Sequence, residues 1–221
     1  HPNEGYHKAL REITRKYGTL LIIDETHTIC TSPGGYTASF GLEPDFLTLG
    51  KPLAGGVPAA IYGFTEEVSK AFAEKLSVED SDVGGIGGTL SGNALSIAAM
   101  KATLQNVLTE EFYSKATALQ EQFTEGVQSV IKEFNLPWIV KQLGNRSEYW
   151  FRPNPPKNGG EAHSAVDPEL DRYMHLYALN RSILMTPFHN MALISPETSK
   201  ADVDYHTKVF RDAVESLFGK Q

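Results

Sequence analysis

The run Leu20-Leu21-Ile22-Ile23 ends abruptly on Asp24-Glu25. A short, unbroken, branched apolar run reads as a strand buried in an α/β sheet, and the switch to acids marks the edge where it surfaces. A second run, Phe46-Leu47-Thr48-Leu49, ends in the same way on Gly50-Lys51. In open α/β sheets, ligands bind at the carboxyl ends of the strands. The two runs therefore direct an acid, Asp24, and a lysine, Lys51, to one edge and one site.

The rest of the pattern fits an α/β start and an α+β end. A helix is expected over Glu4–Tyr17, with Leu10, Ile13 and Tyr17 on its apolar side and Gly18 as its stop. Strand Thr19–Asp24 follows, then a Gly/Pro-rich loop over Ser32–Pro44, strand Phe46–Leu49, strand Ala59–Phe64 and a helix from Thr65 to Leu76. Ser77–Thr89 reads as an acidic, glycine-rich loop. Ser91–Leu108 reads as a helix whose alanines allow close packing, and Thr109 opens another to Phe134. Strands Trp138–Leu143 and Ser147–Phe151 should pair around Gly144-Asn145, with Pro153–Gly160 as a loop. Asp167-Pro168 starts a helix to Arg181. Short strands are expected at Ile183–Met185 and Met191–Ile194. Ser199 caps a final helix with a stripe of Val203, Val209, Phe210, Val214 and Leu217. The expected domains are 1–108, part of a wound α/β domain, and 109–221, a small α+β domain. The chain opens inside a βα unit, which reads as a piece of something longer.

Composition removes several function classes. A net charge of −7 over 221 residues argues against nucleic acid as a partner. No apolar run approaches the roughly 18 residues a membrane span needs. Cys30 stands alone, so neither a disulfide framework nor a thiolate zinc site is expected, and a reducing, cytoplasmic setting is the default. The histidines show no metal-ligand spacing with cysteine or carboxylate partners.

An acid and a lysine at one strand edge suit a specific chemistry. A lysine forms a Schiff base with an aldehyde, and a carboxylate keeps a pyridine nitrogen protonated; pyridoxal phosphate needs both. Gly50 before Lys51, and Pro52-Leu53-Ala54-Gly55-Gly56 after it, let a cofactor approach the backbone. Three segments in register then carry a resemblance: Leu-Ile-Ile-Asp-Glu-Thr-His-Thr at 21–28, Thr-Leu-Gly-Lys-Pro-Leu-Ala-Gly-Gly at 48–56 and Gly-Gly-Thr-Leu-Ser-Gly-Asn-Ala-Leu at 87–95. Together they resemble the class III aminotransferases, fold-type I enzymes, and within them the glutamate-1-semialdehyde aminomutases. The resemblance covers the chain as the C-terminal half of such an enzyme. It implies the later part of a mainly parallel major domain followed by the small domain.

The resemblance also implies roles. Asp24 would pair with the pyridine nitrogen, and Lys51 would carry the Schiff base. Thr89 would reach the cofactor phosphate of the partner in a homodimer. Thr26 stands where the family usually has a valine on the ring face. His27 stands where many members have glutamine or methionine near the ring oxygen. The family's phosphate loop and stacking aromatic lie upstream of the segments seen here, so the chain reads as half an active site. Residues 144–153 and 185–192 resemble the branch that acts on β-amino acids. Arg146 and Arg152 are candidates for the substrate carboxylate, since arginine binds carboxylates bidentately, and His189 is a candidate to line the same pocket; each also fits a surface or structural role. The reaction implied is amino transfer from an amino acid to a keto acid. Two alternatives stand beside it: an aminomutase that moves the amino group within one molecule, and an inactive or dimerisation-only piece.

Overall fold

The computed structural model describes residues 1–75, 87–186 and 189–219. They form two compact units, His1–Glu110 and Glu111–Gln221.

In the first unit, helix α1 (Tyr6–Lys16) precedes strand β1 (Ile22–Asp24). Strand β2 (Phe46–Leu49) lies parallel to β1, and β3 (Ile61–Phe64) pairs antiparallel with β2. The architecture is α/β as expected, but only one of these two pairings is parallel. The run Leu20–Ile23 is less buried than its composition suggests: β1 is an edge strand in the order β1-β2-β3, and Ile22 is 60% exposed. Helix α1 likewise buries no residue, and Ile13 and Tyr17 are exposed. What holds α1 is polar. The Arg11 guanidinium donates to both oxygens of Asp45 at 2.7 and 2.8 Å, and the Leu21 N–H donates to the same carboxylate at 2.6 Å. The Arg11 hydrogen bond, assisted by its charge, holds the Asp45 carboxyl down at about 2.

The segment expected to be loop between β1 and β2 is partly helical. A 3₁₀ turn spans Thr28–Thr31 and helix α2 spans Gly35–Ser39. The glycines there read as loop, yet Gly35 (φ +68°) is needed because a Cβ would meet the Glu25 carboxylate at 2.9 Å. Helix α3 (Glu66–Lys75) follows β3. The expected loop Ser77–Thr89 falls mostly outside the described residues. Helix α4 (Ala94–Asn106), capped by Asn93 on the Ser96 N–H at 2.9 Å, packs on the turn Lys51–Ala54. Gly55 ends that turn at φ +58°, in the left-handed region that favours glycine.

The second unit is a three-stranded antiparallel sheet against helices. Helix α5 (Glu110–Glu133) leads to β4 (Ile139–Leu143) and β5 (Arg146–Trp150), joined at Gly144-Asn145, and β6 (Met191–Leu193) pairs with β5. Gly144 at φ +57° supplies the left-handed corner of a two-residue hairpin. Within the expected loop 153–160, a short helix α6 (Gly159–Ser164) begins, capped by Asn158 on the Glu161 N–H. Helix α7 (Pro168–Leu179) starts on Asp167 with proline at its first turn. Residues 183–186 are irregular rather than the expected strand. Helix α8 (Lys200–Phe218) opens with a Ser199/Asp202 capping box. The helices and sheet bury Phe123, Val127, Val130, Trp138, Tyr149, Phe210 and Val214 in one cluster. Trp138 packs against Phe151 at 4.8 Å and Phe210 at 6.3 Å between centroids. Of the expected α8 stripe, Val203, Val209, Phe210 and Val214 are buried, but Leu217 is 40% exposed because it sits in the last turn, past the core.

Candidate active site

Strand pairing aligns the two residues singled out by the sequence. Asp24 is opposite Thr48 in the parallel register, so Lys51 lies three positions beyond Asp24's partner at the same sheet edge. The Asp24 carboxylate accepts the Thr26 N–H at 2.8 Å. Hydrogen bonds from Thr26 and Thr48, with the charge of Lys51, hold its pKa below the ordinary carboxylate value. Asp24 is exposed and stays anionic at neutral pH.

Lys51 is exposed, although the residues after it, Leu53 and Ala54, are buried. It starts the 3₁₀ turn Lys51–Ala54 and has φ +48°, one of the non-glycine residues in the left-handed region. Non-glycine residues at positive φ cluster at functional sites, where the surroundings hold the strain. Gly50 before it is buried, and a Cβ there would reach Ala60 Cβ at 3.8 Å and Thr26 Oγ1 at 3.9 Å. Thr26 is thus at the seam between the two strand ends. His27 is half-buried at the start of the turn Thr28–Thr31, with its carbonyl accepting the Cys30 N–H. Thr89 is exposed in the turn before α4, next to Gly88, whose N–H donates to Ser91 Oγ at 2.8 Å.

The candidates of the second unit fall into two groups. Arg146 donates to Glu148 at 2.9 Å, and the other Glu148 oxygen is 3.5 Å from His189 Nδ1, so one acid gathers both. Arg152 is elsewhere: it donates to the Glu161 carbonyl at 2.9 Å and to the Glu161 carboxylate at 3.2 Å on α6. His189 also lines a cavity of about 240 Å³ with Tyr149, Asp171, Asn190 and His206. There Asn190 donates to Asp171 at 2.7 Å, and burial raises the Asp171 carboxyl. Sequence reasoning passed over Glu148 and Glu25. Both had a signal: Glu148 is two residues from Arg146 on the same strand face, and Glu25 alternates with Asp24 to the opposite side. Among the described residues no group of three or more histidine, cysteine or acidic side chains converges as a metal site.

The profile of the class-III aminotransferases matches residues 1–156, and the chain belongs to that family. Among solved structures, a glutamate-1-semialdehyde-aminomutase from Pseudomonas aeruginosa PAO1 is 45% identical, with a TM-score of 0.93 over 98% of this chain and 49% of that one. A variant of the same enzyme is known in complex with PMP. A glutamate-1-semialdehyde 2,1-aminomutase from Desulfitobacterium hafniense is 31% identical over 98% of this chain. A β-phenylalanine aminotransferase from Variovorax paradoxus shares the fold at a TM-score of 0.80 and 22% identity. The chain spans about half the length of the curated relatives it matches.

Proposed function

We propose that the protein carrying this chain is a pyridoxal-phosphate-dependent enzyme that moves an amino group, in the manner of an aminomutase. The observation that carries this reading is Asp24 and Lys51 at the carboxyl ends of adjacent parallel strands, close enough for the lysine's charge to help keep the acid ionised. The residues present fit the cofactor. An acid held anionic by Thr26 and Thr48, exposed at the same strand edge as the exposed Lys51, suits a ring nitrogen that must stay protonated.

When bound, pyridoxal phosphate supplies an aldehyde and an electron-withdrawing ring. Lys51 Nζ would hold the cofactor through its aldehyde and would carry a proton at the amine-bearing carbon. The Asp24 carboxylate would hold the proton on the ring nitrogen. Thr26 and His27, which follow β1, would be the residues next to the bound group. Thr89 serves the phosphate, and the family pattern gives this role to a residue of the neighbouring subunit, so the working unit is a homodimer. In the second unit Arg146 and His189, which share Glu148, are the pair offered to the substrate's carboxylate, while Arg152 is held by Glu161 on α6 as a separate candidate. No helix among the described residues is long and apolar enough to cross a membrane. A single cysteine, Cys30, in the sequence suits a reducing, cytoplasmic setting.

The relatives above 30% identity named here are aminomutases, and this favours transfer within one molecule. Transamination between an amino acid and a keto acid is the second reading, supported by the family and by the likeness of residues 144–153 and 185–192 to β-amino-acid enzymes. An assay on glutamate-1-semialdehyde, with and without an added keto acid, separates them. Turnover without a keto acid supports the aminomutase; turnover of amino acids only when a keto acid is present selects the transaminase.

A further inference from the structure

Asp24 and Glu25 are neighbours that face opposite ways. Asp24 is exposed at the strand edge, whereas Glu25 is 1% exposed beneath the segment that follows. A buried carboxylate is tolerated only when its oxygens are satisfied. Here one oxygen accepts from Thr28 Oγ1 and from the Tyr36 N–H at 3.1 Å, and the other accepts the Thr37 N–H. Burial acts to raise the Glu25 carboxyl, but the hydrogen bonds from Thr28, Thr37 and Tyr36 outweigh it and keep the group ionised. Its backbone is engaged as well: the Glu25 N–H donates to the Thr48 carbonyl at 2.8 Å, and its own carbonyl accepts the Ile29 N–H at 2.9 Å. Gly35 makes room for the carboxylate, since any side chain there would collide with it.

Glu25 therefore ties together β1, β2, the turn at 28–31 and helix α2. The next residue, Thr26, supplies the N–H that orients Asp24 at 2.8 Å. We propose that Glu25 is a positioning residue: its buried carboxylate fixes the chain at the end of β1 so that Thr26 stays hydrogen-bonded to Asp24. Its chemical purpose rests on the role given to Asp24 above, but its geometry and its test do not need the cofactor.

The sign of one titration separates this role from plain electrostatics. Glu25→Gln removes a negative charge beside Asp24. By Coulomb's law alone, that loss lowers the Asp24 pKa further. Loss of the Thr26 hydrogen bond raises it. The experiment is a carbon-13 NMR titration of the Asp24 carboxyl in the cofactor-free chain, comparing wild type, Glu25→Gln, Thr28→Val and Asp45→Asn. The expected result is an upward shift toward the ordinary carboxylate value in Glu25→Gln, a smaller one in Thr28→Val, and none in Asp45→Asn, whose carboxylate ties α1 instead. An unchanged or lowered Asp24 in Glu25→Gln overturns the proposal. Should that variant not fold, Thr28→Val decides by the same sign, because it removes one arm of the cluster without changing charge. The outcome is independent of whether Lys51 binds pyridoxal phosphate, so failure of the functional reading and failure of this one are distinguishable.

Discussion

The second unit closes over Phe123, Val127, Trp138, Tyr149 and Val214, while the first leaves Ile22, Ile61, Tyr62, Leu95 and Leu104 exposed. The first unit buries Leu49, Leu53, Ala54 and Val68 and is also fastened by two buried polar clusters. Arg11–Asp45–Leu21 fastens helix α1, and Glu25 with Thr28, Tyr36 and Thr37 fastens the segment after β1. Apolar packing is non-directional and supplies stability. Hydrogen bonds have a direction, and Asp24 and Lys51 need orientation more than bulk stability. In the first unit, directional contacts hold the strand end that carries Asp24.

The contrast can be broken from the apolar side first. Trp138→Ala should cost the second unit about 3–5 kcal/mol, as for other large aromatic truncations. Denaturant unfolding followed by tyrosine signals would show it, and the hydrogen-exchange protection of residues 22–49 should not change. A next, smaller effect comes from His206, buried against Phe123 at 4.4 Å with its Nδ1 unpartnered. Burial pushes its pKa down to about 4, from an ordinary 6.5. The unfolded chain then binds the extra proton between these values, so stability is complete above about pH 6.5 and falls as pH drops toward 4, by on the order of 3 kcal/mol. His206→Leu should flatten that slope in unfolding measured across the range.

The first unit should respond at lower pH and to a single polar change. Asp45, lowered to about 2 from 3.8, contributes stability that is present above pH 3.8 and lost as pH falls through 2. Asp45→Asn should cost about 2 kcal/mol at pH 7 and loosen α1, seen as faster amide exchange in residues 6–16, with the second unit unaffected. The smallest effect expected is that of Arg15→Ala. Its bridge to Glu43 is 2.7 Å long but lies in solvent, so thermal unfolding should move by less than about 0.5 kcal/mol. A large effect there would mean that surface charge, not the buried pair, holds α1.

Legibility in the sequence followed the same division. The α/β character, the hairpin at Gly144-Asn145 and the caps at Asp167 and Ser199 were readable because local chemistry dictates them. The shared edge of Asp24 and Lys51 was readable because strand direction and the family pattern agree. Helix α2 was not, because its formation depends on Glu25 reaching the Tyr36 and Thr37 N–H groups from eleven and twelve residues away. The strand expected at Ile183–Met185 failed because branched residues favour strands only where a neighbour pairs with them. The left-handed φ of Lys51 carries no sequence signal at all, since glycine is the residue that marks such positions.

The central claim is that Lys51 is the residue that holds an aldehyde cofactor. The most direct test is reductive trapping: incubate the protein with pyridoxal phosphate, reduce with borohydride, digest, and locate the pyridoxyl mass, with Lys51→Ala alongside. The account predicts the label on the peptide containing Lys51 and none in the variant. A full-length protein that binds the cofactor but carries the label on another lysine, or carries it equally in Lys51→Ala, would contradict it.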